Sequence, residues 1–156
     1  MQNWKLPMEG GCRCGRVRIG ISAAPLLTMA CHCRGCQLMT GSAFSLSAAI
    51  PSAGFAVIQG EPVIGGLHGA SRHYFCAYCM SWIFTRPENI DAFVNIRPTL
   101  LDQPGDCEPF IETMTREKLP WATTPAVHRF DQWPAFDAYE GLIREFAERL
   151  GQSAGG

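Results

Sequence analysis

The sequence predicts a mainly β fold with short helical segments and one C-terminal helix, and three observations carry that expectation. Short stretches of alternating apolar and polar residues recur between Gly- and Pro-rich turns, the pattern of half-buried strands. Seven of the eight cysteines fall in three tight clusters, Cys12/Cys14, Cys31/Cys33/Cys36 and Cys76/Cys79, with Cys107 alone. A helical period is clean only near the C-terminus.

Size and charge narrow the classes. The chain has 156 residues, 47% of them hydrophobic, with nine Phe and four Trp. That suits one domain over 1–150, followed by a flexible tail at 151–156. A net charge of -1 and a pI near 6.4 offer no basic footprint for nucleic acid or an anionic membrane. No apolar run approaches the roughly 20 residues of a membrane span, and Met1 to Pro7 lacks a signal-peptide core. The expectation is a cytoplasmic protein, where reducing conditions disfavour reading eight cysteines as four disulfides.

In chain order, Arg16 to Ser22 alternates as a strand and Leu26 to Ala30 leads into the second cysteine cluster. Arg34 to Met39 forms a short helical turn stopped at Thr40-Gly41, and Ala43 to Ile50 alternates through Phe44, Leu46, Ala48 and Ile50. Pro51 to Gly54 is a turn. Phe55 to Gln59, Val63 to Leu67, Ser71 to Phe75 and Trp82 to Thr85 are strands, the third delivering Cys76 and the fourth leaving its knuckle. Ala92 to Arg97 is a further strand, and a Pro- and Asp-rich loop runs from Pro98 to Pro109. Phe110 to Thr115 is extended, while Glu117 to Pro134 has no clean period. In Phe136 to Leu150 the residues Phe136, Tyr139, Leu142, Ile143, Phe146 and Leu150 form one stripe that can pack on the core.

The clusters carry the chemistry. Thiols at C-x-C or C-x-x-C spacing can share one metal, and three such clusters in a short chain are a strong signal where one is weak. All-thiolate ligation favours zinc, with an iron-sulfur cluster as the competing centre. Cys31, Cys33 and Cys36 can wrap one ion from three sides and leave a fourth position open, as catalytic zinc sites do. Seven ligands divide in two ways: the trio stays together and Cys12/Cys14 join Cys76/Cys79, or Cys12/Cys14/Cys31/Cys33 close one site and Cys36/Cys76/Cys79 the other. The first is geometrically simpler and staples segments distant in sequence.

Gly11-Cys12-x-Cys14-Gly15-x-Val17, Cys31-x-Cys33-x-x-Cys36 and Phe75-Cys76-x-x-Cys79 together resemble the glutathione-dependent formaldehyde-activating enzyme family, also called the GFA or CENP-V domain. Asn95-Ile96-Arg97, Leu101-Asp102 and Pro120-Trp121 resemble its later, less specific pattern. The resemblance implies an Mss4-like zinc-binding β-sandwich with two zinc ions. It implies a structural zinc on Cys12, Cys14, Cys76 and Cys79, and a functional zinc on Cys31, Cys33 and Cys36. It also implies carbon-sulfur lyase chemistry, the reversible addition of the glutathione thiol to formaldehyde giving S-hydroxymethylglutathione. The partners are then a small-molecule thiol such as glutathione and an aldehyde. Met80 stands where the family commonly has Gly; a knuckle turn with φ > 0 there suits Gly better than Met.

The remaining residues divide between bland and functional readings. Arg34 can pair with a substrate carboxylate or neutralise the thiolates. His32, between two ligands, commonly would point away from the metal, with a supporting donor role as the functional reading. His73 is a surface or cross-strand residue first, Trp82, Trp121 and Trp133 are core or cleft-wall residues first, and Cys107 is spare. No general acid or base is evident. The alternative to an enzyme is a zinc-stabilised Mss4-like binding module, since fold does not fix function.

Overall fold

Alternation of small sets of apolar residues builds the strands, and the computed structural model describes them over residues 4–151 apart from 66, 68, 105 and 106. The expected tail beyond Gly151 lies outside the described residues. The chain is mainly β with a C-terminal helix, as the sequence predicts. Two compact units share it, each drawn from two stretches: 4–25 with 48–104, and 26–47 with 107–151. No helix among the described residues is long and apolar enough to cross a membrane.

The unit drawn from 4–25 and 48–104 opens with β1 (Met8–Gly11) and β2 (Arg18–Ile21), which pair antiparallel, and β5 (Phe55–Gln59) adds on the far side of β2. Ile19 and Ile21 are the buried alternates of β2. β1 was not anticipated, because Met8-Glu9-Gly10-Gly11 has neither period nor β-branching. Gly10 is required there: a Cβ would run into the Leu100 carbonyl, beside the bridge from Gly10 to Leu101. Asp102, next along, accepts a fork from Arg18 at 2.9 and 2.6 Å.

The second sheet of this unit is antiparallel. The later part of β4 (Ser45–Pro51) pairs with β9 (Phe93–Ile96), then follow β8 (Trp82–Pro87), β7 (Ser71–Phe75) and β6 (Val63–Ile64). Ile50, Ile83, Phe84, Val94 and Ile96 are its large buried apolar residues. Tyr74 stacks on Phe84 at 4.5 Å, and Phe55 meets Phe84 edge-on at 4.9 Å. β6 is shorter than the expected Val63–Leu67 run, and Leu67 is almost fully exposed.

In the other unit β3 (Leu27–Cys31) pairs parallel with β10 (Ile111–Thr113), which pairs parallel with β11 (His128–Arg129). β11 was hidden because two residues give no period. α1 (Arg34–Thr40) follows β3 and stops at Gly41 with φ 62°, the expected cap. In the first half of β4 the predicted phase is wrong: Ser45 and Ser47 are buried, whereas Phe44 and Leu46 are half-buried.

A 3-10 turn at Phe136–Ala138 leads into α2 (Tyr139–Arg149). Leu142 and Phe146 pack on Leu27, Phe110 and Ile111, with Tyr139 and Leu150 at the margin. Phe136 is the exception in the predicted stripe. It is 94% exposed because it precedes the helix proper and does not share its face. His128 of β11 lies 2.8 Å from Glu145 of α2 and ties the helix to the sheet.

Phe146 is 2% exposed and touches the Phe110 ring at 5.3 Å. Phe146→Ala should lower the free energy of unfolding by about 3–5 kcal/mol, the cost of a large cavity, read from denaturant melts.

Candidate metal centres

Two turns in one unit supply four thiols. After β1 the chain turns at Cys12-Arg13-Cys14-Gly15, closed by Gly15 N–H to the Cys12 carbonyl at 3.0 Å, with Gly15 at φ 79°. Between β7 and β8 the knuckle Cys76 to Ser81 is closed by Met80 N–H to the Cys76 carbonyl at 3.0 Å and Cys76 N–H to the Ser81 carbonyl at 3.1 Å. Arg13 N–H donates to Ser81 Oγ at 3.1 Å, and the Arg16 guanidinium lies 3.6 Å from the centre of the Tyr78 ring, so the two turns hold each other.

The sulfurs therefore converge. Cys12 and Cys14 Sγ are 3.5 Å apart, Cys14 and Cys76 Sγ 3.7 Å, and all four lie within 4.8 Å of one another. Ligands at 2.3 Å on a tetrahedron would be roughly 3.8 Å apart, so the spacing fits one metal ion. The Val17 N–H donates to Cys12 Sγ at 3.3 Å, and the Ser81 hydroxyl sits 3.2 Å from Cys79 Sγ. The Ser81 hydroxyl and then its backbone N–H bring the Cys79 thiol down to about 5, which favours the ligating thiolate.

The three-thiol group belongs to the other unit. Cys31 ends β3, Cys33 is the N-cap of α1, and Cys36 sits in its first turn. Cys36 N–H donates to Cys33 Sγ at 3.2 Å, so a sulfur takes the place that Ser or Asp usually fills. Ser45, at the start of β4, donates its hydroxyl to Cys36 Sγ at 3.1 Å. The three sulfurs lie within 4.8 Å of one another, and no fourth His, Cys, Asp or Glu joins them among the described residues. Cys31 is buried, while Cys33 and Cys36 are half-buried and reachable.

Crowding decides the protonation of this group. A hydrogen bond from Cys36 brings the Cys31 thiol down to about 5 against the effect of burial, and the same bond pushes Cys36 well above the thiol range. Burial, and the neighbouring Cys31, raise the Cys33 thiol as well, so the group resists a second thiolate unless a cation offsets it. The all-thiol donor set suits a soft divalent ion, so both groups fit the metal that the sequence implies.

The structure thus divides the seven cysteines in the first of the two ways. Cys107 is buried in the trio's unit but joins neither group. Arg34 is exposed, with Nη1 donating to Gln37 Oε1 at 3.2 Å. His73 meets Thr85 of the facing strand at 2.9 Å, a cross-strand role. Trp82 lies under the Arg97 guanidinium at 3.8 Å, but Trp121 and Trp133 are 72% and 54% exposed, not buried core residues.

Glu112 was missed. Its carboxylate is fully buried, with His32 Nε2 at 2.9 Å, Lys118 Nζ at 2.9 and 3.1 Å, Thr124 Oγ1 at 2.9 Å and Arg129 Nε at 3.0 Å. Burial pushes its pKa up, and the bonds from Lys118, Thr124 and His32 more than reverse that, holding it below the usual carboxylate range. The only signal in the sequence is one acid inside the otherwise uncharged Phe110-Ile111-Glu112-Thr113.

The family described as "Glutathione-dependent formaldehyde-activating enzyme" matches residues 7–117. No curated protein matches the sequence. Among solved structures, the crystal structure of a Rhodobacter sphaeroides protein, a structural genomics target, superposes with a TM-score of 0.49 at 18% identity. The match covers 61% of this chain and 88% of that one.

Met80 has φ 59° and is 58% exposed. The knuckle does need the left-handed conformation, and Met adopts it. Relief of about 1–2 kcal/mol of left-handed strain is offset by the entropy cost of Gly. Met80→Gly should therefore be neutral or stabilising by up to about 1 kcal/mol, and β-branched Met80→Val should be destabilising, both read from thermal midpoints of the metal-loaded protein.

Proposed function

The chain belongs to the glutathione-dependent formaldehyde-activating enzyme family, matched over residues 7–117, and from that premise we propose that it is a zinc-dependent carbon-sulfur lyase acting on thiol-aldehyde adducts of the S-hydroxymethylglutathione type. The observation that carries the reading is a three-thiol group without a fourth protein ligand among the described residues, accompanied by a complete four-thiol group. A four-ligand site is a structural clip, and a three-ligand site leaves room for an exchanging ligand.

Cys12, Cys14, Cys76 and Cys79 would hold the structural zinc, and Cys31, Cys33 and Cys36 the functional one. When bound, zinc supplies a position where an incoming thiol loses its proton near neutral pH and stays nucleophilic. Three thiolates carry more negative charge than the ion can cancel, which weakens Lewis acidity and favours thiol over water activation. In the forward direction a C–S bond forms between the thiol sulfur and the aldehyde carbon, the carbonyl π bond breaks, and its oxygen takes a proton to become the hydroxyl. The reverse step breaks that C–S bond and returns thiol and aldehyde.

The chain's own contribution is positional. α1 aims Cys33 and Cys36 from one rigid turn, and the Ser45 hydroxyl fixes Cys36. Arg34, exposed on that turn and bonded through Nη1 to Gln37, is the candidate for a substrate carboxylate, since a guanidinium can fork onto one.

Purified protein should contain about two zinc ions per chain, the more labile one leaving the trio first. One zinc with several disulfides, or iron, would overturn the assignment. Cys76→Ser should lower the thermal midpoint further than Cys36→Ser; the reverse order would exchange the structural and functional sites.

Wild-type protein should speed the equilibration of glutathione, formaldehyde and their adduct above the spontaneous rate, and Cys33→Ala should remove the increment. Glutathione should also change the visible spectrum of cobalt-substituted protein. Absence of both effects in fully metallated protein would leave a zinc-stabilised binding module.

A further inference from the structure

His32 separates the first two thiols of the trio, and every bond that fixes it is a long-range one or runs to α1. Its N–H donates to the Thr113 carbonyl at 3.0 Å, and its carbonyl accepts from Gln37 Nε2 at 3.0 Å. Its ring is 0% exposed, edge-on to Phe44 at 5.2 Å, with Nε2 on Glu112. A carboxylate accepts only, so Nε2 carries the proton, and the buried Nδ1 is left with no partner among the described residues. A ring this enclosed does not reach a substrate. It can act only on the two cysteines it joins.

Glu112 is fixed more firmly than His32. Lys118 bonds both of its oxygens, Arg129 stands beside it in register on β11, and Thr124 reaches it from the loop between β10 and β11. Glu112 is also in register with Ala30, and Thr113 with Cys31, so the strand that presents the carboxylate is the one that pairs with the trio's own strand. Burying a carboxylate at 0% exposure is unfavourable without such donors, and gathering them from separate segments is more than packing alone requires.

We propose that Glu112 is a positioning residue of the three-thiol site, holding the His32 ring and through it the relative directions of Cys31 and Cys33. The inference rests on the metal reading of that site given above. Groups that bond a metal ligand directly commonly change affinity by about 10–100-fold when lost, and Glu112 acts one residue further out. Here the link runs through the residue between two ligands, so its loss should loosen one site of the protein and leave the other untouched.

The four-thiol site provides an internal reference. Wild-type, Glu112→Gln and His32→Gln proteins are loaded with cobalt, their visible spectra recorded, and the metal withdrawn with a chelator. Both variants should show altered bands and at least about tenfold faster release from the trio, with release from the four-thiol site unchanged. His32→Gln leaves Glu112 its three other partners, so it decides the question if Glu112→Gln fails to fold. Wild-type spectra and release in His32→Gln, or equal acceleration at both sites, would overturn the proposal. If wild-type protein took only one cobalt per chain, the metal reading of the trio would fail, and this inference with it. Two cobalt ions with unchanged variants would refute the positioning role alone.

Discussion

Two thiolates about 4 Å apart repel by about 4 kcal/mol at the effective dielectric of a protein surface. Seven thiols gathered in two groups, each within 4.8 Å, are therefore tolerable only with shared protons or a cation at their centre. The backbone commits to this arrangement in advance. Amide N–H groups of Val17 and Cys36 point at sulfur, and the turns that carry the ligands close on their own hydrogen bonds. Folding aligns the thiols, and an ion bound among them would return stability by relieving repulsion that folding created.

Much of this was legible in the sequence because it is local. C-x-C and C-x-x-C spacing requires ligands on one turn, Thr40-Gly41 marks a helix stop, and strands such as Phe55–Gln59 and Ser71–Phe75 announce themselves by composition and flanking turns. The spacing left two divisions of the cysteines open, since choosing between them needs the turn after β1 to meet the turn after β7. Strand phase failed at β4 for a related reason. Ser45 looks like a solvent residue, yet it is buried with its hydroxyl bonded to the Cys36 sulfur.

Glu112 marks where sequence reading stops. Its partners lie at 32, 118, 124 and 129, and no period or motif connects them. A lone acid in an apolar strand says only that something must neutralise it. The structure supplies the identity of the donors and shows that one of them sits between two cysteines of the three-thiol group. That is tertiary information, arising from parallel pairing of β3, β10 and β11, with the segment between the last two folded over one carboxylate.

The interleaving of the two units bears on synthesis. Residues 26–47 leave the ribosome well before 107–151, the stretch that completes their unit. At about 5–20 residues per second, Cys36 precedes Glu112 by roughly 4–15 s. Over that interval β3 has no β10 to pair with, and His32 has no carboxylate. All four thiols of the other group have emerged before Glu112. The three thiols of the trio are all out before Cys76 and Cys79 complete the other group. The trio is thus exposed first and supported last, as three thiols open to oxidant until residues 107–151 arrive.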